Sequence, residues 1–235
     1  MVLCTCSGKG KYNFHWSRNN SKLRKDGIIS WGLPAYKSRE GKLVCPMAFS
    51  CIAGCFARSG HYIFGKTPAA REHNLTYLLS DRKNNYKNFV QLAKEDILSF
   101  PKSRRFIRIH DSGDFMSEKY FLAWVQIVNE LPAYTFYGYT KMVSIINEHR
   151  HIIPENMRIT CSIGGKQDHL IDRSHAHAVI FPTFQSLKFS GYIDGHTSDL
   201  PALQGEIKIG LVYHGVRKMR YEEMIPHFKF LGVKY

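Results

Sequence analysis

The chain has 235 residues, with 33 Lys and Arg against 19 Asp and Glu and a formal charge of +14 near neutrality. A hydrophobic content of 44%, with 13% aromatics, is enough to bury a real core and excludes an intrinsically disordered chain. No apolar run reaches the length of a membrane span and no signal-peptide hydrophobic region follows Met1, so a cytosolic protein with reduced thiols and no membrane contact is expected. The cations are spread along the whole sequence. Such a balance suggests nucleic acid or another polyanion as partner, the alternative being a basic, solvated surface.

Residues 1–27 read as a polar, basic N-terminal arm, with Gly8, Gly10 and residues 18–21 as loop signals. Its Cys4 and Cys6 form a C-x-C pair on a terminus, where such pairs are more often incidental than ligating. Residues 28–33 read as a first strand ended by Pro34, and a cysteine-containing loop follows. Thr67 and Pro68 offer a cap and a first-turn proline to a helix with Leu75, Leu78 and Leu79 on one face. A second helix over residues 86–100 carries Phe89, Leu92, Ala93 and Ile97. Residues 105–110 form a strand, and Ser117 caps a helix whose apolar face is Phe121, Trp124, Val125, Val128 and Leu131. A strand over 134–139, a helix over 142–151, a strand over 157–163 and a short helical segment at 168–171 come next. Strands over 178–181 and 207–213 flank a Gly- and Asp-containing loop at 184–205, and a last helix covers 221–231.

This alternation predicts one α/β domain over residues 28–235 with a mainly parallel sheet and helices outside it. Six clear strands fit a partial or complete TIM-like (β/α) barrel. A flat doubly wound sheet is the runner-up, but no Gly-x-Gly-x-x-Gly loop follows the first strand.

The stretch that stands out is Cys45-Pro-Met-Ala-Phe-Ser-Cys51-Ile-Ala-Gly-Cys55, a C-x5-C-x3-C spacing. One helical turn would put Cys51 and Cys55 on the same face, and Pro46 biases Cys45 towards an extended conformation. Three convergent thiolates suit zinc or an iron–sulfur cluster. Zinc ordinarily takes a C-x2-C pair and a second pair downstream, and neither occurs. A [4Fe-4S] cluster is wider than a single ion and tolerates the longer gaps. The plain alternative is three buried, unrelated cysteines.

In a β/α barrel, functional groups gather at the C-terminal ends of the strands. Here those ends supply His110-Asp-Ser-Gly-Asp114, then Tyr137, Tyr139, Thr140 and Lys141, then Cys161 and Ser162, then Pro182 and Thr183, and finally Tyr213 and His214. Cys161 is the candidate fourth thiolate, or else a small buried strand residue. Without it, one iron would be open to water, His110, His214 or a small molecule. A cysteine loop after the first strand and the Ser112-Gly113-Asp114 turn after the second are similar in layout to radical S-adenosylmethionine enzymes. His110, Ser112 and Gly113 are then the cofactor-binding candidates, although the cysteine spacing departs from the usual C-x3-C-x2-C. Asp111 and Asp114 are candidates for general acid–base work or a divalent metal, or for capping the next helix. Lys141 would hold an anion or answer the acidic pair. Gly164 and Gly165 would admit a phosphate or form a plain turn. His175 and His177 face the same way on a strand and read as polar core or surface residues.

The cysteine stretch through Cys55-Phe-Ala-Arg, the run Arg108-Ile-His-Asp-Ser-Gly-Asp114-Phe, and Tyr134-Thr-Phe-Tyr-Gly-Tyr-Thr-Lys141 resemble, in this order, the bacteriophage "gene product 88" family. The resemblance spans residues 20–165. It implies phage origin, hence the host cytoplasm, and a cysteine-bound cluster, without implying a reaction. Many members carry further cysteines near the C-terminus, whereas this chain has none after Cys161, so a second cluster is not implied. The leading expectation is an iron–sulfur protein acting with a redox partner or in a cluster-dependent reaction. A radical S-adenosylmethionine-like enzyme and a zinc-stapled nucleic-acid-binding module are the alternatives.

Overall fold

Seven short runs, most of them rich in β-branched and aromatic residues, pair into one all-parallel sheet in the computed structural model. It describes residues 13–18 and 20–213 together with Glu222, Ile225, Phe228 and Lys229. Cys4, Cys6 and His214 lie outside the described residues, and only those last four residues represent the helix expected over 221–231. The strands are β1 (Ile28–Ser30), β2 (Phe106–Ile109), β3 (Thr135–Thr140), β4 (Met157–Ser162), β5 (His177–Phe181), β6 (Ile193–Asp194) and β7 (Lys208–Val212). Their order is β1-β2-β3-β4-β5-β7-β6, sequential until β7 inserts between β5 and β6. The helices are α1 (Ser21–Lys25), α2 (Lys66–Asp81), α3 (Lys87–Leu98), α4 (Glu118–Asn129), α5 (Val143–His149), α6 (Phe184–Lys188) and α7 (Leu200–Gln204).

The sheet is curled into a half-barrel, and side-chain reach demonstrates it. Strands β1 and β6 are its two edges. Laid flat, six spacings of about 4.8 Å would hold them about 29 Å apart, far beyond any lysine. Yet Lys22 and Lys25, just before β1, donate to the carbonyls of Gly195 and Thr197, just after β6, at 2.8 and 3.1 Å. Ser198 likewise donates to Asp26 at 2.9 Å. The partial barrel is therefore observed, with seven strands where six were counted.

Alternation sorts the strand residues into two faces. Ile28, Tyr137, Ala178 and Ile209 point into the concave side, where Leu23 of α1 and Ala202 and Leu203 of α7 meet them. Ile29, Ile107, Ile109, Phe136, Met157 and Cys161 point outward into the main core beneath α2 to α5. Helix α4 shows how locally this is encoded. The Ser117 hydroxyl accepts the Tyr120 N–H as N-cap, Glu118 sits in the positive first turn, and Tyr120, Phe121, Trp124, Val125, Ile127 and Val128 are buried. Trp31 of the β1 end donates its indole N–H to the Tyr120 hydroxyl at 2.9 Å, with Trp124 packed edge-on and Phe89 tilted against it. Each such aromatic pair contributes about 0.5–1.5 kcal/mol beyond its burial.

Three expectations change. The N-terminal arm is, from residue 13, part of the folded body: Phe14 stacks edge-on against Trp31 at 5.1 Å, and Ser17 bridges Ser30. The loop at 184–205 contains α6, β6 and α7, each too short to leave a periodicity. Helix α2 starts at Lys66, with no side-chain cap from Thr67.

His110 belongs to this core as well. Its backbone is left-handed (φ 62°), which turns the ring outward against Phe115, Tyr120 and Trp124, with its Nε2 at 3.1 Å from the Tyr120 hydroxyl. Burial, then the Arg108 guanidinium, push its imidazole from 6.5 down to about 3. A folded value below the unfolded one means that the unfolded chain takes up this proton first as pH falls. Stability is then full above about pH 6.5 and declines from there towards pH 3, by at most about 1.4 kcal/mol per unit. Asn tolerates the left-handed backbone without carrying this proton. Urea titrations at pH 7 and pH 4.5 are therefore expected to show a smaller acid loss in His110→Asn than in the wild type. Equal losses would remove His110 as the cause.

Candidate functional site

The cysteine loop begins with a tight reversal. Tyr36 is left-handed (φ 65°), Lys37 bridges Leu43, and the N–H groups of Val44 and Cys45 both donate to the Tyr36 carbonyl. The loop then crosses to the end of β4. There Phe49 and Cys51 donate to the Gly164 carbonyl at 3.2 and 3.1 Å, Lys166 donates to the Met47 carbonyl at 2.8 Å, and Ala48 bridges Gly165. Three single 3-10 turns follow, Ser50–Ile52, Phe56–Arg58 and Gly60–Tyr62. Cys51 lies within the first and Cys55 caps the second, so the single helical face expected for this pair does not form. The turns still bring Cys45, Cys51 and Cys55 to the wall of one cavity.

That cavity measures about 370 Å³ and opens at the C-terminal ends of the strands. Small-molecule sites run from about 300 to 1,000 Å³. One end carries the three cysteines with Asp114, Thr140, Lys141 and Ser162; the other carries Lys22, Tyr62, Arg108, Tyr139 and Asp199.

The thiols are half-buried and partly hydrogen-bonded. Tyr36 N–H donates to the Cys45 Sγ at 3.3 Å, and the Ala57 N–H reaches Cys55. Burial, then the Asp114 carboxylate, push the Cys45 thiol well above its ordinary range; burial, then Cys51, raise that of Cys55. Lys141 is enclosed beside them and donates to the Ser162 hydroxyl at 2.9 Å. Burial works against its charge, but Cys51 and Asp114 outweigh it and raise the ammonium above its usual value. The three sulfurs are nonetheless not closed into a single-ion site. Among the described residues, the one trio of such side chains with ligand atoms within 4.8 Å of one another is Glu118, Glu148 and His149. That leaves a single zinc ion on these cysteines without support.

The remaining candidates divide sharply. Cys161 packs into the outward core, 6% exposed, and does not line the cavity, because alternation along β4 sends Ser162 inward instead. The ring of His110 is committed to the aromatic core. Asp111 accepts from Arg71 at 2.5 Å and from the Ser30 hydroxyl at 2.9 Å, a strut between α2 and the sheet. Asp114 accepts from Thr140 Oγ1, Lys141 N–H and Phe115 N–H, at 2.6, 2.9 and 2.7 Å, which ties the β2 turn to the end of β3. With its oxygens occupied, Asp114 is a brace and not a free acid or base; neither acid caps α4, which Ser117 does. Ser112 donates to the Leu33 carbonyl at 2.6 Å. Gly113 (φ 85°) has no room for a side chain, since a Cβ would lie 2.7 Å from that of Leu33. The N–H groups of Gly164 and Gly165 donate to Asp168, which excludes them as a phosphate cradle. His177 sits between the His175 carbonyl and the Tyr192 hydroxyl, away from the cavity.

Sequence reasoning missed the inner end. Arg108 was legible as a charge in the apolar strand Phe-Ile-Arg-Ile, but Lys22 and Asp199 lay in segments read as arm and loop. Among the described residues no helix is long and apolar enough to cross a membrane.

Nothing among curated proteins or solved structures matches the chain. A family described as Gene product 88 matches residues 11–226, a span that takes in the cysteine loop, the β2 turn, the β3 end and the whole curled sheet. On that coverage the chain belongs to the Gene product 88 family.

Proposed function

We propose that Cys45, Cys51 and Cys55 hold a [4Fe-4S] cluster in the mouth of the half-barrel, with one iron left open to a small molecule in the adjoining cavity. The observation that carries this reading is the sorting of the cysteines. Three thiols of one loop share a cavity wall with the half-buried Lys141, while Cys161 faces the opposite side of the sheet. A cubane spreads its thiolates more widely than one ion does, which suits sulfurs that converge without closing. Backbone N–H groups on the sulfurs stabilise bound thiolates and tune a cluster. Lys141 is the counter-charge that a thiolate-rich group needs in a buried site. Such a cluster supplies one-electron chemistry and a ligand position at its open iron; the chain's part is to bind and orient what enters the cavity. With three thiolates and the Gly113 turn of β2 at the same mouth, a radical S-adenosylmethionine-type reaction is the more specific reading. Asp114 is already occupied, so the turn would contribute backbone groups only.

Anaerobic reconstitution is expected to give a brown protein with about four iron and four sulfide per chain. Cys161→Ala should keep that content, and Ala at 45, 51 or 55 should lose most of it. A colourless protein with stoichiometric zinc, or iron that ignores the three substitutions, would overturn the cluster. Failure of the reduced, cluster-loaded protein to cleave S-adenosylmethionine would end the narrower reading alone. A second test acts on the loop: a Cβ on Gly165 would lie 2.8 Å from the Met47 carbonyl oxygen and 3.1 Å from the Lys141 Cβ. Gly165→Ala is expected to cost about 1–3 kcal/mol of stability. It should also lower the iron retained by the folded protein, and unchanged retention would mean that this clamp does not position the thiols.

A further inference from the structure

At the inner end of the cavity two cations are in ion-pair contact with a single carboxylate. Asp199, 1% exposed, accepts from Lys22 Nζ at 2.6 Å, from Arg108 Nη1 at 2.6 Å and from the Tyr137 hydroxyl at 2.7 Å. Two cations thus share one carboxylate. Asp111 pairs with Arg71, and Asp194, held by the N–H groups of His196 and Thr197 and the Thr197 hydroxyl, acts on Lys22 without an ion-pair contact. Lys22 and Arg108 keep 29% and 13% of their side chains accessible, and both line the cavity. The Arg108 guanidinium lies 5.4 Å from the Tyr139 ring centre; its Nε and the Tyr139 hydroxyl have no hydrogen-bond partner among the described residues. Burial lowers the Lys22 ammonium despite Asp199 and Asp194, whereas Arg108, although burial opposes its charge too, is raised by Asp199.

We infer that this end of the cavity is a subsite for an oxyanion, the carboxylate or phosphate of a small molecule whose remainder extends towards the three cysteines. Two cations that share one contacting carboxylate and keep accessible surface in a cavity can take a further anionic oxygen. A planar guanidinium beside an ammonium suits the oxygens of carboxylates and phosphates. The apolar Ile180, Leu211 and Val212 line the same cavity and suit the uncharged part of such a ligand. The inference deepens the proposed function by naming a substrate class, and it rests on that reading only for which end of the ligand faces the iron.

The test uses the full chain, metal-free and cluster-loaded, and titrates paired probes by calorimetry: adenosine against adenosine 5′-monophosphate, and an amino acid against its amide. The charged member of at least one pair is expected to bind at least about tenfold tighter, and which pair does so separates phosphate from carboxylate. Inorganic phosphate should compete. Lys22→Met, at a partly exposed position, should bring the two members within about twofold of each other, while Lys22→Arg restores the preference. Arg108→Met, if it folds, should do the same as Lys22→Met. Equal or absent binding of both members of every pair overturns the inference, as does a preference that survives in folded Lys22→Met. Iron and sulfide measured on the same samples keep loss of the subsite distinguishable from loss of the cluster.

Discussion

Two hydrogen bonds accepted by the carbonyl of Gly164 make a site of the cysteine loop. Phe49 and Cys51 donate them, and Gly164 belongs to the turn after β4, whereas the loop leaves β1. Those strands are three places apart in the sheet, about 14 Å if it were flat. A loop of this length could cross that distance on a flat sheet as well; the curl turns both strand ends towards one mouth, where the two bonds fix it. The curl is closed in turn by Lys22, Lys25 and Ser198, which bridge the two edges. Edge closure and curl thus shape the mouth on which the loop docks. The turn that holds Asp168 takes two glycines because Gly164 has a φ of 110° and Gly165 passes too close to the Met47 carbonyl for any side chain.

The acidic residues of the mouth serve this geometry. Asp111, Asp114 and Asp168 each accept two or more hydrogen bonds, from Arg71 and Ser30, from the β3 end, and from the glycine turn. Removing one partner of a buried ion pair costs about 3–5 kcal/mol, since the other is left charged and unpaired. The Arg71–Asp111 pair even requires Gly32, where a Cβ would stand 2.2 Å from Asp111 Oδ1. With the acids used as braces, the cations are what remains for ligands: Lys141 beside the thiols, Lys22 and Arg108 at the other end. The cavity wall combines these polar groups with the apolar Ile180, Leu211 and Val212.

Much of this was legible in the sequence where signals were local. Helix α4 announces itself through Ser117 and its apolar stripe, and β2 to β5 through dense β-branched and aromatic runs. The rule that strand ends carry the functional groups placed Lys141, Ser162 and the cysteine loop at one mouth. What failed was geometry that a one-dimensional pattern does not hold. Strand alternation alone could not say which face Cys161 takes; the pairing of Phe136 with Met157, both in the outward core, puts Cys161, four residues after Met157, on that side. A left-handed backbone at His110 reversed its ring, and nothing in a His-Asp-Ser-Gly-Asp run marks which residue turns over. Helices α6 and α7 and strand β6, two to five residues each, are too short to show a period, so Asp199 was passed over.

The cysteine loop differs from the rest of the fold in what holds it. Between residues 45 and 62 the fully buried side chains are those of Ala48, Ala57 and Ser59, while Phe49 is 66% and Phe56 36% exposed. Hydrophobic burial, which secures α4 with six large side chains, contributes little here. The loop depends on backbone hydrogen bonds to Tyr36 and Gly164, the Arg58 bond to the Ile52 carbonyl at 2.8 Å, and single 3-10 turns. Segments built this way lie at the low end of local stability. Its Cys45 and Cys55 thiols are at the same time held protonated by burial. On the proposed reading these two features are one device. A bound cluster exchanges the thiol protons for iron and links three points of a loop that the core does not grip, so metal binding and loop ordering are coupled in a single free energy.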